Sequence, residues 1–275
     1  MVRLTGIAPA YLCAMTASGE VEMVNSRGIY LAFENKRILL CDSSYGAVPN
    51  GISIADYAFI ASRLQVGQPV QLRRRLLKFP FGNAVLMLQE APQALYRCTP
   101  SIKKLQQALM LLLDSPGKGL GPLAAPLFGM PHGPLDLRCE MALPRIRGLI
   151  NGLRTNDLQA IAQYTESLLG FGLGLTPSGD DVLAGLMYGL RHSPHRNDPG
   201  VAALTDRIST LADKRTNAVS ATYLSALAQD APFDALQAAW HDPKNKAPAL
   251  LSIGSSSGSE MLLGLLLAGL QYKEV

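Results

Sequence analysis

Two segments in the C-terminal half of the chain combine hydroxyl, glycine and carboxylate groups at matching positions. Residues 174–186 read Gly-Leu-Thr-Pro-Ser-Gly-Asp-Asp-Val-Leu-Ala-Gly-Leu, and residues 254–265 read Gly-Ser-Ser-Ser-Gly-Ser-Glu-Met-Leu-Leu-Gly-Leu. Aligned on Ser178 and Ser257, both follow the pattern Ser-Gly-polar-acidic-apolar-Leu-apolar-Gly-Leu. Carboxylates accept hydrogen bonds and hydroxyls both donate and accept them. The pair is therefore the strongest candidate for a site with polar chemistry.

Both segments also fit a purely structural role as helix starts. In a capping box, the serine hydroxyl accepts a hydrogen bond from the N–H three residues on, and an acidic side chain reaches back to the serine N–H. Ser178 with Asp181, and Ser257 with Glu260, have this spacing. Carboxylates in a first turn also interact favourably with the helix dipole. This interpretation requires no ligand.

Several features go beyond what a cap requires. Asp180 supplies an additional carboxylate, and glycines precede both starts, where they allow the backbone to approach another group closely. After each start the sequence is apolar on every side, which is typical of a buried helix. We therefore predict that the two helices pack about a pseudo-twofold axis with their N-termini opening on one pocket. Such N-termini bind small anions, whereas the carboxylates would accept an amide or carbamoyl NH₂ or hold a cation.

A third polar segment lies between the two helix starts. It places Thr216, Asn217 and Ser220 within one turn, with Thr216 and Ser220 four residues apart on one face. Thr216 or Asn217 fits an N-cap. The three side chains fit the lining of the pocket equally well, and the sequence leaves both roles open.

Composition and charge exclude several classes of function. The chain has 25 basic and 21 acidic residues, and a net charge of +4 is too small to predict a nucleic-acid partner. Arg73, Arg74 and Arg75 form a basic run between apolar residues in a strand-like stretch and predict a solvated strand face. The longest apolar run, residues 261–270, is too short to span a bilayer, so we expect no membrane association and a cytoplasmic location.

The cysteines and histidines show no metal-binding spacing. Cys13, Cys41, Cys98 and Cys139 are widely separated, which predicts free, mostly buried thiols in a reducing compartment. No His-Glu-x-x-His pattern, phosphate-binding loop or Gly-x-Ser-x-Gly elbow is present. We therefore predict no metal, no cofactor and no covalent mechanism.

The predicted fold class is α+β, with a small N-terminal β-rich domain followed by a larger all-α domain that contains two internally similar buried helices. The β-rich domain spans residues 1–97 and the helical domain residues 98–275. Strand-like runs cover residues 21–33, 37–41, 69–79 and 84–88, with a hairpin turn at Gly82-Asn83 and one helix over residues 54–64 crossing the small sheet. Besides the two repeated elements, helical patterns cover residues 102–113, 135–153, 158–169, 201–214, 216–229 and 233–240.

Three segments of the helical domain resemble a known family. Residues 173–185, 216–224 and 253–264 match its signatures in order, and the family includes the third subunit of the oxamate carbamoyltransferase of anaerobic allantoin degradation. The resemblance is weak over the β-rich third, where only the loop at residues 46–49 looks related. It implies one subunit of a heteromeric enzyme with two other protein subunits, one of them resembling acyl-CoA synthetase subunits.

The resemblance also implies a reaction, which belongs to purine catabolism. It interconverts oxalurate plus phosphate with oxamate plus carbamoyl phosphate, and catalysis would depend on positioning and charge stabilisation. Asp180 and Asp181 are then the predicted catalytic residues and hold the NH₂ groups. Oxyanion binding falls to Thr176, Ser178, Thr216 and Ser256. The predicted substrate site is completed by Gly179, Asn217, Ser220, Ser255, Ser257 and Glu260.

One position departs from the family pattern. Ser255 stands where the second loop of the family often has histidine, which removes the best acid–base candidate. The substrate is therefore oxamate-like or a related carbamoyl or amide compound. Two alternatives stand beside this function: a non-catalytic small-anion-binding or assembly subunit, and a stand-alone ligand-binding protein.

Overall fold

The computed structural model describes residues 2–25, 28–34, 36–46, 48, 50–81, 84–90, 99–231 and 233–272. It divides the chain into two compact units. One comprises Met1–Leu95 with Gln229–Asp234, and the other comprises Tyr96–Ala228 with Ala235–Val275. Among the described residues, no helix is both long enough and apolar enough to cross a bilayer.

The described strands of the first unit form a closed barrel. They are β1 (Val2–Ala8), β2 (Thr16–Val24), β3 (Gly28–Phe33), β4 (Lys36–Asp42), β5 (Gly51–Ile54), β6 (Pro69–Arg73), β7 (Leu76–Lys78) and β8 (Ala84–Glu90). Their order around the barrel is β1-β5-β4-β3-β2-β6-β7-β8, and the parallel pairing of β1 with β8 closes it. Closure leaves no unpaired edge strand.

The interior of the barrel is apolar. Alternate residues of β6 are buried, as a strand with one face on a core requires. Two short helices, α1 (Ala10–Ala14) and α2 (Tyr57–Ala61), add side chains to the same core. Its fully buried members include Leu12, Leu31, Leu40, Ile52, Ile60, Leu72 and Leu86.

The predicted fold class was wrong in its N-terminal part, which is a closed barrel rather than a small sheet crossed by a helix. Residues 51–54 form β5, so the helix predicted over residues 54–64 is reduced to the five residues of α2. The N-terminal residues, for which no strand was predicted, form β1. The reason is that β1 pairs with β8 at the other end of the unit, and local sequence patterns carry no information on such a long-range pairing.

Two predictions fall on residues outside the described part of the chain. The turn at Gly82-Asn83 is not described, although β7 and β8 on either side pair antiparallel. Cys98 is likewise outside it, whereas Cys13, Cys41 and Cys139 are buried and free.

The chain after Pro100 is helical. Its helices are α3 (Ile102–Asp114), α4 (Ala124–Leu127), α5 (Leu137–Thr155), α6 (Leu158–Leu168), α7 (Ser178–Arg191), α8 (Pro199–Arg215), α9 (Ala218–Ala228), α10 (Asp234–His241), α11 (Pro243–Leu251) and α12 (Ser257–Leu266). A π-helical segment, Leu267–Gln271, continues α12. The side chains of Ser101, Asp136 and Asp157 cap α3, α5 and α6.

Helices α7 and α12 pack against each other along their lengths in the interior of the helical unit. Every residue from 178 to 190 is buried, as is every residue from 258 to 266. This explains why the sequence of both helices is apolar on every side.

Candidate functional site

The structure brings the two repeated helix starts together. The Oγ1 of Thr176, just before α7, lies 3.0 Å from the Oγ of Ser257, the first residue of α12. Both helices therefore run in the same general direction from a common polar layer. The positive ends of both helix dipoles lie in this layer, although the first-turn N–H groups of Gly179 and Gly258 already donate to the carbonyls of Phe171 and Ile253.

The contacts in this layer repeat in a reciprocal way. The hydroxyl of Ser257 lies beside the carboxyl of Asp181, and the hydroxyl of Ser178 lies beside that of Glu260. Ser178 and Ser257 occupy equivalent positions in the aligned segments, as do Asp181 and Glu260. Each carboxylate thus contacts the first serine of the other helix, as the predicted pseudo-twofold arrangement requires.

The capping boxes themselves do not form. The N-cap residues are Pro177 for α7 and Ser256 for α12, and neither side chain accepts a cap hydrogen bond. Ser178 and Ser257 are instead the first helical residues, one position further into the helix than a capping box requires. As a result, each carboxylate lies beside the first serine of the other helix as well as beside one hydroxyl of its own helix start, Thr176 for Asp181 and Ser256 for Glu260.

Asp180 is held by three hydrogen bonds from two segments of the chain. Its Oδ1 accepts from the Gly170 N–H at 2.8 Å, and its Oδ2 accepts from the hydroxyls of Thr216 at 2.5 Å and Ser220 at 2.6 Å. The carboxyl is fully buried. Burial raises its pKa, and the hydrogen bonds from Ser220, Thr216 and Gly170 oppose that effect. Asp180 therefore ties the loop before α7 to the start of α9.

The third polar segment caps α9 and also binds Asp180, whereas its predicted place in the lining of a pocket stays a prediction. Asn217 caps α9, because its Oδ1 accepts from the N–H groups of Val219 and Ser220, both at 3.1 Å. Thr216 and Ser220 instead donate to Asp180. Their hydroxyl protons are used in this arrangement, so an oxyanion would have to compete with Asp180 for them.

Asp181 and Glu260 form a buried carboxylate pair. Both side chains have zero exposure. Burial raises the pKa of Asp181 well above its usual range, and Glu260 raises it further. Burial also raises the pKa of Glu260, although hydrogen bonding from Ser178 and from the Leu120 N–H opposes the change.

A rim of hydroxyl groups separates this pair from solvent. Thr176, Ser256 and Ser257 are partly exposed and Ser255 is exposed, whereas Ser178 is buried. Gly179 is turned away from the rim, because a Cβ there would lie 2.1 Å from the Leu168 carbonyl at the end of α6. Hydroxyl groups thus lie near the surface, with the buried carboxylates beneath them.

Two further groups contact the site, and the sequence did not predict either. The Leu120 N–H donates to Glu260 Oε1 at 2.9 Å, from a loop in which Gly119 approaches the same carboxylate closely. The Tyr223 hydroxyl is buried between α9 and α12 and donates to the Met261 sulfur at 3.5 Å. The glycine spacing at residues 117, 119 and 121 is the signal that would have indicated the loop.

No group of three or more His, Cys, Asp or Glu side chains within the described ranges is arranged to hold a metal ion. The site is made of hydroxyls, backbone N–H groups and one carboxylate pair. Such a set can bind an oxyanion at the rim and an NH₂ group or a cation beneath it.

Comparison with known proteins identifies a similar family over part of the helical unit. The model of the family described as oxamate carbamoyltransferase subunit AllH matches residues 168–269, so this part of the chain is similar to that family. The match extends from the last residue of α6 into the π-helical segment, so it contains both helix starts and α9. No solved structure matches the chain.

Proposed function

We propose that this chain is one subunit of a carbamoyltransferase of the oxamate carbamoyltransferase type, and that the layer between α7 and α12 binds its carbamoyl substrate. The observation that carries the proposal is that the residues of the site fall within the range matched by the family. The matched range, residues 168–269, contains all the residues that form the paired helix starts and the Asp180 cluster, apart from the Gly119–Leu120 loop.

The donors at the rim suit the anionic part of such a substrate. Thr176, Ser256 and Ser257 present partly exposed hydroxyls beside the N-termini of two helices. Helix N-termini favour phosphate and carboxylate groups, because the helix dipole is positive there. Carbamoyl phosphate and oxamate each carry one of these anionic groups.

The carboxylates suit the other end of the substrate. A carbamoyl NH₂ donates two hydrogen bonds, and Asp181 and Glu260 have buried oxygens that accept none within the described residues. Both oxygens of Asp180 already accept hydrogen bonds, so Asp180 would position the surrounding segments and would not bind the NH₂ group. Asp181 is accordingly the better of the two predicted catalytic residues, and Asp180 is a positioning residue.

Calorimetric titration tests the proposal. The purified chain is titrated with carbamoyl phosphate, phosphate, oxamate and oxalurate, and so are Thr176→Val and Thr210→Val, a matched change at an exposed position of α8. We expect carbamoyl phosphate to bind the parent chain and Thr210→Val with equal affinity. Thr176→Val should bind carbamoyl phosphate about tenfold or more weakly, because it loses a hydrogen bond to a charged group. Equal binding by all three proteins would contradict the assignment.

A second function, that of a non-catalytic binding subunit, is favoured by one observation: both site carboxylates are completely buried. The two functions are separated by capturing the tagged chain with its associated proteins and assaying carbamoyl phosphate formation from oxalurate and phosphate. Turnover that falls at least tenfold with Thr176→Val supports the transferase site. Turnover that is unchanged, with ligand binding lost, supports the binding subunit.

A further inference from the structure

The Asp181–Glu260 pair leaves three buried carboxylate oxygens without a hydrogen-bond partner among the described residues. These are Oδ1 and Oδ2 of Asp181 and Oε2 of Glu260. The hydroxyls of Ser257 and Thr176 lie beside Asp181 and lower its pKa, yet neither reaches an oxygen with normal hydrogen-bond geometry. A carboxylate buried in this way is strongly unfavourable unless another group binds it.

The surroundings supply little positive charge to balance the pair. The charged groups that act on Asp181 are Glu260 and Asp180, which are both acidic. Glu260 is affected by one basic side chain, Arg138, whose contribution is the smallest of those that act on it. The interior of the site therefore carries unbalanced negative charge whenever both acids are ionised.

The side chains that lie against this charge are hydroxyls, and the Leu120 N–H also donates to Glu260 Oε1. Around the two carboxylates lie the hydroxyls of Ser257 and Thr176 on one side and those of Ser178 and Ser256 on the other. Carboxylate and hydroxyl oxygens without nitrogen or sulfur are the ligands of hard cations. Magnesium in particular is bound through one or two carboxylates, with the remaining positions taken by water and substrate phosphate.

We propose that Asp181 and Glu260 together bind one hard divalent cation, Mg²⁺ by its chemistry, at the pseudo-twofold axis between α7 and α12. The cation would neutralise the pair and leave positions toward the hydroxyl rim for a phosphate oxygen. The phosphate part of this inference rests on the proposed function, whereas the cation site itself does not. A bound cation would also allow an anionic substrate to lie next to two carboxylates.

The site is close enough to solvent for an ion to enter. Thr176 and Ser257 cover Asp181, and both are partly exposed. Separation of their two hydroxyls, which are 3.0 Å apart, would open a path to the carboxylates.

Binding of Mn²⁺, an EPR-visible substitute for Mg²⁺, tests the proposal on the full chain without substrate. Free Mn²⁺ is measured during titration of the parent chain, Asp181→Asn, Glu260→Gln and the exposed-site controls Asp213→Asn and Glu140→Gln. We expect one Mn²⁺ per chain, displaced by Mg²⁺, in the parent and both controls. Binding should weaken by tenfold or more in Asp181→Asn and Glu260→Gln. Inorganic phosphate should tighten it in the parent chain.

The results separate this inference from the proposed function. Failure of the parent chain to bind Mn²⁺ at millimolar concentration, with or without phosphate, would overturn the cation site and leave a pair that shares a proton. Equal binding by the parent, Asp181→Asn and Glu260→Gln would place the ion elsewhere and overturn it too. Carbamoyl phosphate binding without Mn²⁺ binding would remove only this inference. Should either variant fail to fold, Glu260→Asp is used instead, and the parent stoichiometry decides independently.

Discussion

Gly185 of α7 and Gly264 of α12 face each other at the contact between the two helices. A Cβ on Gly185 would lie 2.0 Å from the carbonyl oxygen of Met261, and a Cβ on Gly264 would lie 2.2 Å from that of Val182. Met261 and Val182 are equivalent positions in the aligned segments, so the two contacts are related by the pseudo-twofold axis. Backbone contacts backbone here, and any side chain larger than hydrogen would separate the helices.

Substitution of either glycine by alanine should therefore destabilise the helical unit. The added methyl group meets main-chain atoms, which cannot rotate away, and we expect a cost of about 3 kcal/mol or more. The buried Trp240 of α10 is the sole tryptophan, so its fluorescence during urea unfolding reports on this unit. Gly133→Ala is the matched control, because its Cβ would meet nothing within 4 Å. A cost below 1 kcal/mol for Gly185→Ala would contradict the close contact.

The hydrogen bonds of Asp180 predict a structural rather than a chemical effect of its loss. Asp180→Ala leaves the Gly170 N–H and the hydroxyls of Thr216 and Ser220 without their acceptor. Unsatisfied buried donors cost about 1–3 kcal/mol each. We expect the midpoint of urea unfolding to fall by an amount equivalent to roughly 3 kcal/mol or more.

Two comparisons make this prediction specific. Asp213→Ala, at an exposed position of α8, should change stability by no more than about 0.5 kcal/mol. Thr216→Val, which removes one of the three donors, should cost about 1 kcal/mol. Asp180→Ala that unfolds like the parent chain would show that the cluster does not hold the loop and α9 together.

The buried thiols predict a definite pH dependence. Burial raises the pKa of Cys41 in the barrel and of Cys139 in α5 to about 12 each. Unfolded thiols ionise near pH 8.5, so ionisation favours the unfolded chain above that pH. The stability contributed by the protonated thiols is full below about pH 8.5 and falls as the pH rises toward 12.

Thiol labelling measures the same effect directly. On a Cys98→Ser background, Cys41 and Cys139 should react with a disulfide reagent at pH 8 at least about tenfold more slowly in the native chain than in urea, because the thiolate is the reactive form. Ser209→Cys, at an exposed position of α8, provides a reactive control. Native labelling as fast as that of the control would show that the thiols are accessible.

The sequence predicts the polar layer better than the architecture that surrounds it. The paired motifs around Ser178 and Ser257 identify residues that do lie together, since periodicity and repetition are local signals. The partners of Asp180 are less accessible to sequence reasoning, because Thr216 and Ser220 belong to another helix and their spacing fits a cap equally well. Closure of the barrel depends on the pairing of β1 with β8, which no local pattern specifies.

The position of the N-caps shows the same limit on a smaller scale. Pro177 and Ser256 are the N-cap residues of the two helices, one residue before the serines that the capping-box pattern indicated. The local sequence is compatible with either N-cap position in each helix. The contacts between the two helices decide which position is used. Those contacts, Asp181 with Ser257 and Glu260 with Ser178, are tertiary and therefore invisible in either segment alone.

The loop before α4 gives a final prediction, which concerns the free-energy coupling between substitutions at Gly119 and Glu260. Gly119 has a φ of +69°, and a Cβ there would lie 2.1 Å from Glu260 Oε1. Gly119→Ala should therefore cost stability in two ways: through backbone strain of about 1 kcal/mol, and through a clash that displaces the Leu120 N–H from Glu260. Glu260→Asp shortens the facing side chain and should relieve the clash but not the strain.

A double-mutant cycle separates these two effects. The unfolding free energies of the parent, Gly119→Ala, Glu260→Asp and the double variant are measured. The double variant should be more stable, by about 1 kcal/mol or more, than the sum of the two single effects predicts. Gly129→Ala supplies the control, because Gly129 also has a positive φ of 71° but its Cβ would meet nothing within 4 Å. It should show the strain without any coupling to Glu260. Strict additivity for Gly119 would mean that the loop does not press on the carboxylate, and the loop would then have no part in positioning Glu260.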